Sequence, residues 1–405
     1  VKDNSDDYVT RVIRDPAQVP REAWNTLWAL TTEATPFMRH EYLCALHESD
    51  SATTRTGWTP AFITLWRGET LQAACPLYLK AHSYGEYVFD WAWANAYEQH
   101  GLAYYPKALV AVPFTPVPGV RLLASDTDAR QALLRAVLQF CEQEKLSSLH
   151  LLFVCEADRQ ASQALGLMTR HTVQFHWTNT QPGYVDFDAF LAGLSQDKRK
   201  KIRQERRKVA EGGVQFRTIA GEQMSGEDWD FFYRCYERTY LEHGNAPYLT
   251  RDFFMRMAKQ MPQHWVMFVG ERQGQPIACS LVAVSEAGPG GVAYGRYWGA
   301  LERVDCLHFE ACYYQPLQWC IAQGLQRFEG GAQGEHKMAR ALLPVRTDST
   351  HWLAHPAFAD AVARFLEREG QGVERYLDDL ESRSPLRSGG PPKPAADAPE
   401  TPPRR

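Results

Sequence analysis

The tightest constraint on this chain is that it spells one unit twice. Residues 138–150 read LQFCEQEKLSSLH and residues 317–329 read LQWCIAQGLQRFE. At a constant offset of 179 the pairs are Leu138/Leu317, Gln139/Gln318, Phe140/Trp319, Cys141/Cys320, Leu146/Leu325 and Leu149/Phe328. Each copy reads as a helix end, a turn and a strand. A second match, Ala74-Cys75-Pro76-Leu77 with Ala278-Cys279-Ser280-Leu281, follows a turn in both places at an offset of 204. Two matches in one order imply two copies of one α/β domain, expected at 1–180 and 181–382.

The periodicity fills in each copy. Apolar residues at helical spacing run through Trp24, Leu27 and Trp28, and again through Tyr42, Leu43 and Leu46. Ala61–Leu65 and Leu71–Leu79 alternate as paired strands, Tyr87–Trp93 reads as a third, and a long proline-rich loop follows to residue 123. Asp128–Gln143 is a predicted helix and Leu149–Val154 a buried strand. The second copy opens with a helix over Asp188–Glu211, closed by Gly212-Gly213. A strand, an aromatic-faced helix and a three-strand meander over 265–300 lead into the repeated helix and strand. Two last helices are expected over Pro356–Glu369 and Val373–Glu381. Residues 383–405, rich in Pro, Gly and Ala, read as a disordered tail.

Composition excludes several classes. The formal net charge is −4, so any affinity for a polyanion has to be local. Nine cysteines without a CxxC pair suit a reducing cytosol, not a disulfide scaffold or a zinc ribbon. No apolar run approaches the ~18 residues of a membrane span, and the polar, acidic start is not a signal peptide. The expectation is a cytoplasmic protein with no transmembrane segment. Thirteen histidines without ligand spacing argue against a metal.

Two constellations can carry chemistry. KRKKIRQERRK at 198–208 has eight basic residues opposed by one acid, Glu205. An apolar stripe through Phe190, Leu194, Ile202 and Val209 leaves Lys198, Lys200, Lys201, Arg203 and Arg207 to bind phosphates of a polyanionic partner. No aromatics interleave, so bases would not be stacked within the run. The second constellation, FEGGAQGEHKMAR at 328–340, ends a strand in Glu329 and turns through Gly330 and Gly331. Gln333, His336 and Lys337 follow. Backbone N–H groups freed by such a turn suit an oxyanion, and a carboxylate or imidazole can take a proton from an amine. Glu329 is the first candidate base and His336 the second, with Arg296, Tyr297, Gln333 and Lys337 as substrate-binding candidates. The Gly-Lys-Ser/Thr ending of a P-loop and the GxSxG elbow are both missing.

Helix, three-strand meander, helix and strand, twice over, is the element order of the GNAT acyltransferase fold, in which the acyl donor lies where two strands splay. FLAGLSQDKRKKIRQERRKV, FDWAWANAYEQHGLAYYPKALVAVPFTPVPG and AYGRYWGALERVDCLHFEACYYQPLQWCIAQGLQRFEGGAQGEHKMARALLPV resemble the FemAB-like branch of that superfamily, which is labelled for peptidoglycan biosynthesis or recognition. The resemblance implies tandem GNAT-like α/β domains with mostly antiparallel sheets, and transfer of an acyl or aminoacyl group to an amine acceptor. It implies no tightly bound cofactor, the donor being an aminoacyl-tRNA or an acyl-CoA. CoA-dependent members place a glycine-containing phosphate loop where this chain reads ALERVDCLHFEAC, which disfavours CoA. A non-catalytic module binding a cell-wall precursor or RNA is the reading from another class.

Overall fold

A computed structural model describes residues 8–387 apart from 32, 286, 287, 289 and 333; most of the predicted tail, 388–405, and Gln333 therefore lie outside the described residues. The strands of the first half are β1 (Val9–Ile13), β2 (Trp58–Pro60), β3 (Phe62–Arg67), β4 (Thr70–Cys75), β5 (Leu77–Lys80), β6 (Lys107–Val110), β7 (Leu123–Ala124), β8 (Ser148–Val154) and β9 (Met168–Thr178). Those of the second half are β10 (Val214–Ala220), β11 (Trp265–Arg272), β12 (Gln275–Val284), β13 (Val292–Ala300), β14 (Arg327–Glu329) and β15 (Leu343–Leu353). The architecture is α/β and mostly antiparallel, with helices on both faces.

A small sheet runs β1-β3-β4-β7, and a second sheet runs β10-β11-β12-β13-β14-β9-β15-β8-β6-β5-β2. Among the described residues, only β13–β14 and β6–β8 are parallel strand pairs in the long sheet. These are the two places that the repeated unit predicts. In each half the repeated helix, ending in Thr127–Gln143 or Gln315–Ala322, delivers its strand beside the last strand of a meander.

The halves then exchange strands. β9, from the first half, pairs with β14 of the second, and β15, from the second, pairs with β8 of the first. β9 and β15 are each 11 residues long and pair with each other from Met168↔His351 to His176↔Leu343. That register is symmetric about Thr172 and Thr347, the fifth residue of each strand, whose hydroxyls hydrogen-bond at 2.7 Å. A pseudo-twofold axis therefore passes between these two threonines.

Burial follows the same plan. One core lies on each half's outer face, around Leu133 and Val137 in the first and Phe190, Leu317 and Phe328 in the second. A third core joins the halves: Trp24, Phe37 and Tyr42 pack with Phe232, Phe253, Met267 and Tyr294. Phe37 meets Tyr294 edge-on at 5.3 Å, and Tyr42 meets Phe253 at 5.3 Å, geometry worth about 0.5–1.5 kcal/mol per pair beyond area burial.

Three expectations are corrected. Tyr87–Trp93 is not a strand: Trp91–Gln99 is a helix that buries Trp93, Ala94 and Tyr97 at helical spacing, and the third meander strand is β6, inside the segment expected to be loop. A short aromatic run fits either period, and here tertiary packing selected 3.6. The Asp188–Glu211 helix is two helices, Phe187–Ala192 and Gln196–Glu211, because Leu194 bridges to Leu386 and the Ser195 amide donates to the Pro385 carbonyl. The two C-terminal helices are one, Pro356–Ser382.

Candidate functional site

β13 and β14 run together only from Val292–Tyr294 against Arg327–Glu329, and then diverge, because β14 ends while β13 continues to Ala300. The opening falls where the sequence turns glycine-rich. A Cβ at Gly330 would lie 2.4 Å from the Leu342 side chain, and Gly331 has φ +83°, a conformation that favours glycine. The Gly330 amide donates to the Phe175 carbonyl of β9 at 3.3 Å, whereas the Gly331 amide has no partner among the described residues.

Glu329 closes the strand at this opening and is 3% exposed. Its Oε1 forms an ion pair with Arg327 Nε at 3.0 Å, while Oε2 has no hydrogen-bond partner among the described residues and lies 3.9 Å from His176 Nε2. Burial pushes the carboxyl up to about 7, against the opposing pull of Arg327 and Arg296. Arg296 comes from β13, at a bulge where Leu281 pairs with Tyr297 and Val282 with Gly295. A bulge re-aims side chains: Arg296 lies 5.1 Å from the Tyr297 ring and donates to the Phe114 carbonyl at 2.8 Å. Tyr297 itself packs against Tyr236 and Phe254 in the shared core.

Lys337 is buried, donates to the Gly331 carbonyl at 2.9 Å, and is pushed down to about 8 by burial. Glu329, Arg296, Gly330, Gly331 and Lys337 are thus gathered around one opening. His336 is exposed and bound to the Tyr313 hydroxyl at 3.1 Å, with Phe309 beside it. Burial, Arg340 and Lys337 lower its pKa, so the imidazole is neutral at pH 7.

The basic helix Gln196–Glu211 buries Ile202, Glu205 and Val209 and exposes Lys200, Lys201, Arg203 and Arg207, with Lys198 half-buried. Arg203 reaches Asp188 at 3.7 Å; Lys200, Lys201 and Arg207 form no ion pair among the described residues. Glu205 does not neutralise this face. It points inward, accepting from the Tyr314 hydroxyl and from Arg340 at 2.9 Å, and so ties the helix to the 335–340 turn. Its spacing from Ile202 and Val209 places it on the buried stripe, a signal present in the sequence. His176 and Gln174 went unnoticed in the sequence because they belong to the other half.

The fold and its site define an acyltransferase-type architecture, two GNAT-like halves around splayed strands. The FemAB-like family, described as peptidoglycan biosynthesis/recognition, matches residues 15–388, and the chain belongs to it. The superfamily is one of acyl and aminoacyl transfer. Among solved structures, FemX is similar at 10% identity over 85% of this chain and 98% of its own, with a TM-score of 0.52. L-PGS from Bacillus licheniformis matches at 10% identity over 86% and 97%, with a TM-score of 0.49. A tandem GNAT protein from the clavulanic acid biosynthesis pathway matches at 11% over 86% and 99%, with a TM-score of 0.43. No curated protein matches the chain significantly. Among the described residues, no helix is long and apolar enough to cross a membrane, and no group of three or more His, Cys, Asp or Glu could hold a metal ion.

Proposed function

We propose that the chain is a cytoplasmic N-acyltransferase that moves an aminoacyl group from aminoacyl-tRNA to an amine acceptor on a cell-wall peptide precursor. The observation carrying this reading is Glu329, buried at the mouth of the splay with an unpartnered Oε2 and a carboxyl raised to about 7. The acceptor nitrogen attacks the ester carbonyl, forming the C–N bond. One amine proton passes to Glu329, the C–O bond to the ribose breaks, and the same proton leaves with the ribose hydroxyl. The Gly331 amide faces the developing oxyanion, Gly330 fixes the turn, and Arg296 and Lys337 offset negative charge. His336 is the second candidate base, and Gln333 and Tyr297 the remaining substrate-binding candidates.

Lys198, Lys200, Lys201, Arg203 and Arg207 take the donor's phosphates. The segment in the position of the CoA phosphate loop lacks that loop's glycines, which supports tRNA further; its Glu302 and Asp305 are paired with Arg272 and Lys208. Incubation with labelled charged tRNA or labelled acetyl-CoA, each with an amine acceptor, tests the reading. Transfer from charged tRNA that Glu329→Gln abolishes supports it. Transfer from acetyl-CoA alone moves the chain to the CoA-dependent class, and binding without transfer from either makes it a binding module.

A further inference from the structure

Glu329 does not stand alone: the residue directly opposite it in the sheet is His176, carried by the strand that the first half contributes. His176 Nε2 lies 3.1 Å from Gln174 Oε1, and Gln174 Nε2 donates to the Pro116 carbonyl at 2.9 Å. All three side chains are at least 95% buried. A carbonyl can only accept, so Pro116 fixes which end of the Gln174 amide faces His176. That end is the oxygen, so the imidazole carries its hydrogen on Nε2. His176 Nε2 is 3.9 Å from Glu329 Oε2, too far for a hydrogen bond, so its N–H is spent on Gln174 and Oε2 is left without a hydrogen-bond partner among the described residues.

The pseudo-twofold axis shows that this arrangement is a modified copy. His176 is the ninth residue of β9 and His351 the ninth of β15; Glu329 is the third residue of β14 and His150 the third of β8. In the first half the pair is closed, with His150 and His351 hydrogen-bonded between Nδ1 atoms at 2.7 Å. In the second half Glu329 replaces the inner histidine and its oxygen is left open.

We propose that His176 and Gln174 are positioning residues for Glu329: Pro116 orients Gln174, Gln174 takes the single His176 Nε2–H, and the imidazole, packed 3.9 Å from Glu329 Oε2 without bonding it, leaves that oxygen free for the acceptor amine. This rests on reading Glu329 as the proton acceptor. His176 is itself pushed down to about 3 by burial, with Arg327 and Lys337 adding to the effect, so it does not compete for the proton. The other groups facing the pair are Arg327 on β14, Arg296 and Tyr294 on β13, and Lys337 on the turn. β15 presents the apolar Leu343 opposite His176.

The test needs no substrate. Glutamate labelled with 13C at Cδ is incorporated, and the Glu329 resonance, identified by its loss in Glu329→Gln, is titrated by NMR. Wild type titrates near 7. Gln174→Glu, of equal size, puts an anion on the imidazole, draws a proton onto it, and moves the Glu329 midpoint down by about one unit or more. His176→Phe removes the imidazole dipole beside Oε2 and moves the midpoint up, and His176→Gln, which keeps a polar side chain there, returns it toward wild type. A Glu329 midpoint that stays put in all three folded variants overturns the inference. Shifts of opposite sign, together with full transfer activity in Glu329→Gln, sustain the positioning but overturn the assignment of Glu329 as base.

Discussion

The two halves carry the same opening in the sheet, and the chain treats the two openings in opposite ways. In the first, the proline-rich insertion folds back onto the end of β8: Gly119 bridges to Val154, and Arg121 is buried against the Gly119 and Val120 carbonyls. Behind it His150 is satisfied on every side, by Ser148, Tyr104 and His351, and Lys107 is buried against Glu86 and Asp90. In the second opening Glu329 Oε2 and the Gly331 amide have no hydrogen-bond partner among the described residues. The insertion also serves this side, since its Phe114 and Pro116 carbonyls hold Arg296 and Gln174. Each site holds buried carboxylate oxygens without a hydrogen-bond partner among the described residues, Glu86 Oε1 and Asp90 Oδ1 in the first and Glu329 Oε2 in the second; the first two share the buried Lys107, whereas Glu329 lies beside a glycine turn, which is where chemistry is expected.

The largest expected effect separates the halves by function. Glu329→Gln lowers transfer by roughly 10²–10⁴-fold, the usual loss for a general base, while His150→Asn leaves turnover of the folded protein within a few-fold. Equal losses from both would erase the distinction. Next is the stability of Glu329→Gln against pH. A carboxyl raised from 4.5 to about 7 on folding favours the folded state at low pH. That contribution is complete below pH 4.5 and lost as pH rises through about 7. Glu329→Gln therefore matches wild type in acid and exceeds it above neutrality, by on the order of 3 kcal/mol at most, read from urea midpoints at two pH values.

The basic helix sharpens the contrast differently. Reversing Lys200, Lys201, Arg203 and Arg207 to Glu removes donor binding with little change in Tm, because these side chains are exposed. Neutralising the same four to Gln reduces the slope of log affinity against log salt by about three. A wild-type affinity insensitive to salt contradicts the assignment. The smallest effect is at the symmetry axis: Thr172→Val costs about 1 kcal/mol, the worth of the hydrogen bond to Thr347, and leaves the chemistry of either half untouched.

What could be read from the chain and what could not divides along sequence distance. The repeated helix and strand, the glycine-rich turn after Glu329 and the exposed face of the basic helix are local patterns, and each sits in the structure where its period or turn chemistry points. The 87–99 region failed because WAWANAY satisfies a strand and a helix alike until Trp93 and Tyr97 find their neighbours. The strand exchange was invisible for another reason. Neither β9 nor β15 is among the strands expected from the sequence, and only the register Thr172↔Thr347 reveals that each completes the other half. His176 and Gln174 were lost with it, since nothing within the second half points to them. Glu205 was readable from its place on the Ile202–Val209 stripe, but charge counting assigned it to the surface.

The central claim is that the acyl donor occupies the β13–β14 opening and not its sealed counterpart between β6 and β8. An aminoacyl-tRNA whose acyl group bears a photoreactive diazirine, crosslinked to the intact protein and mapped by peptide mass spectrometry, tests this directly. The account predicts label in residues 294–298 and 328–337. Label concentrated in residues 107–112 and 148–154 would contradict it.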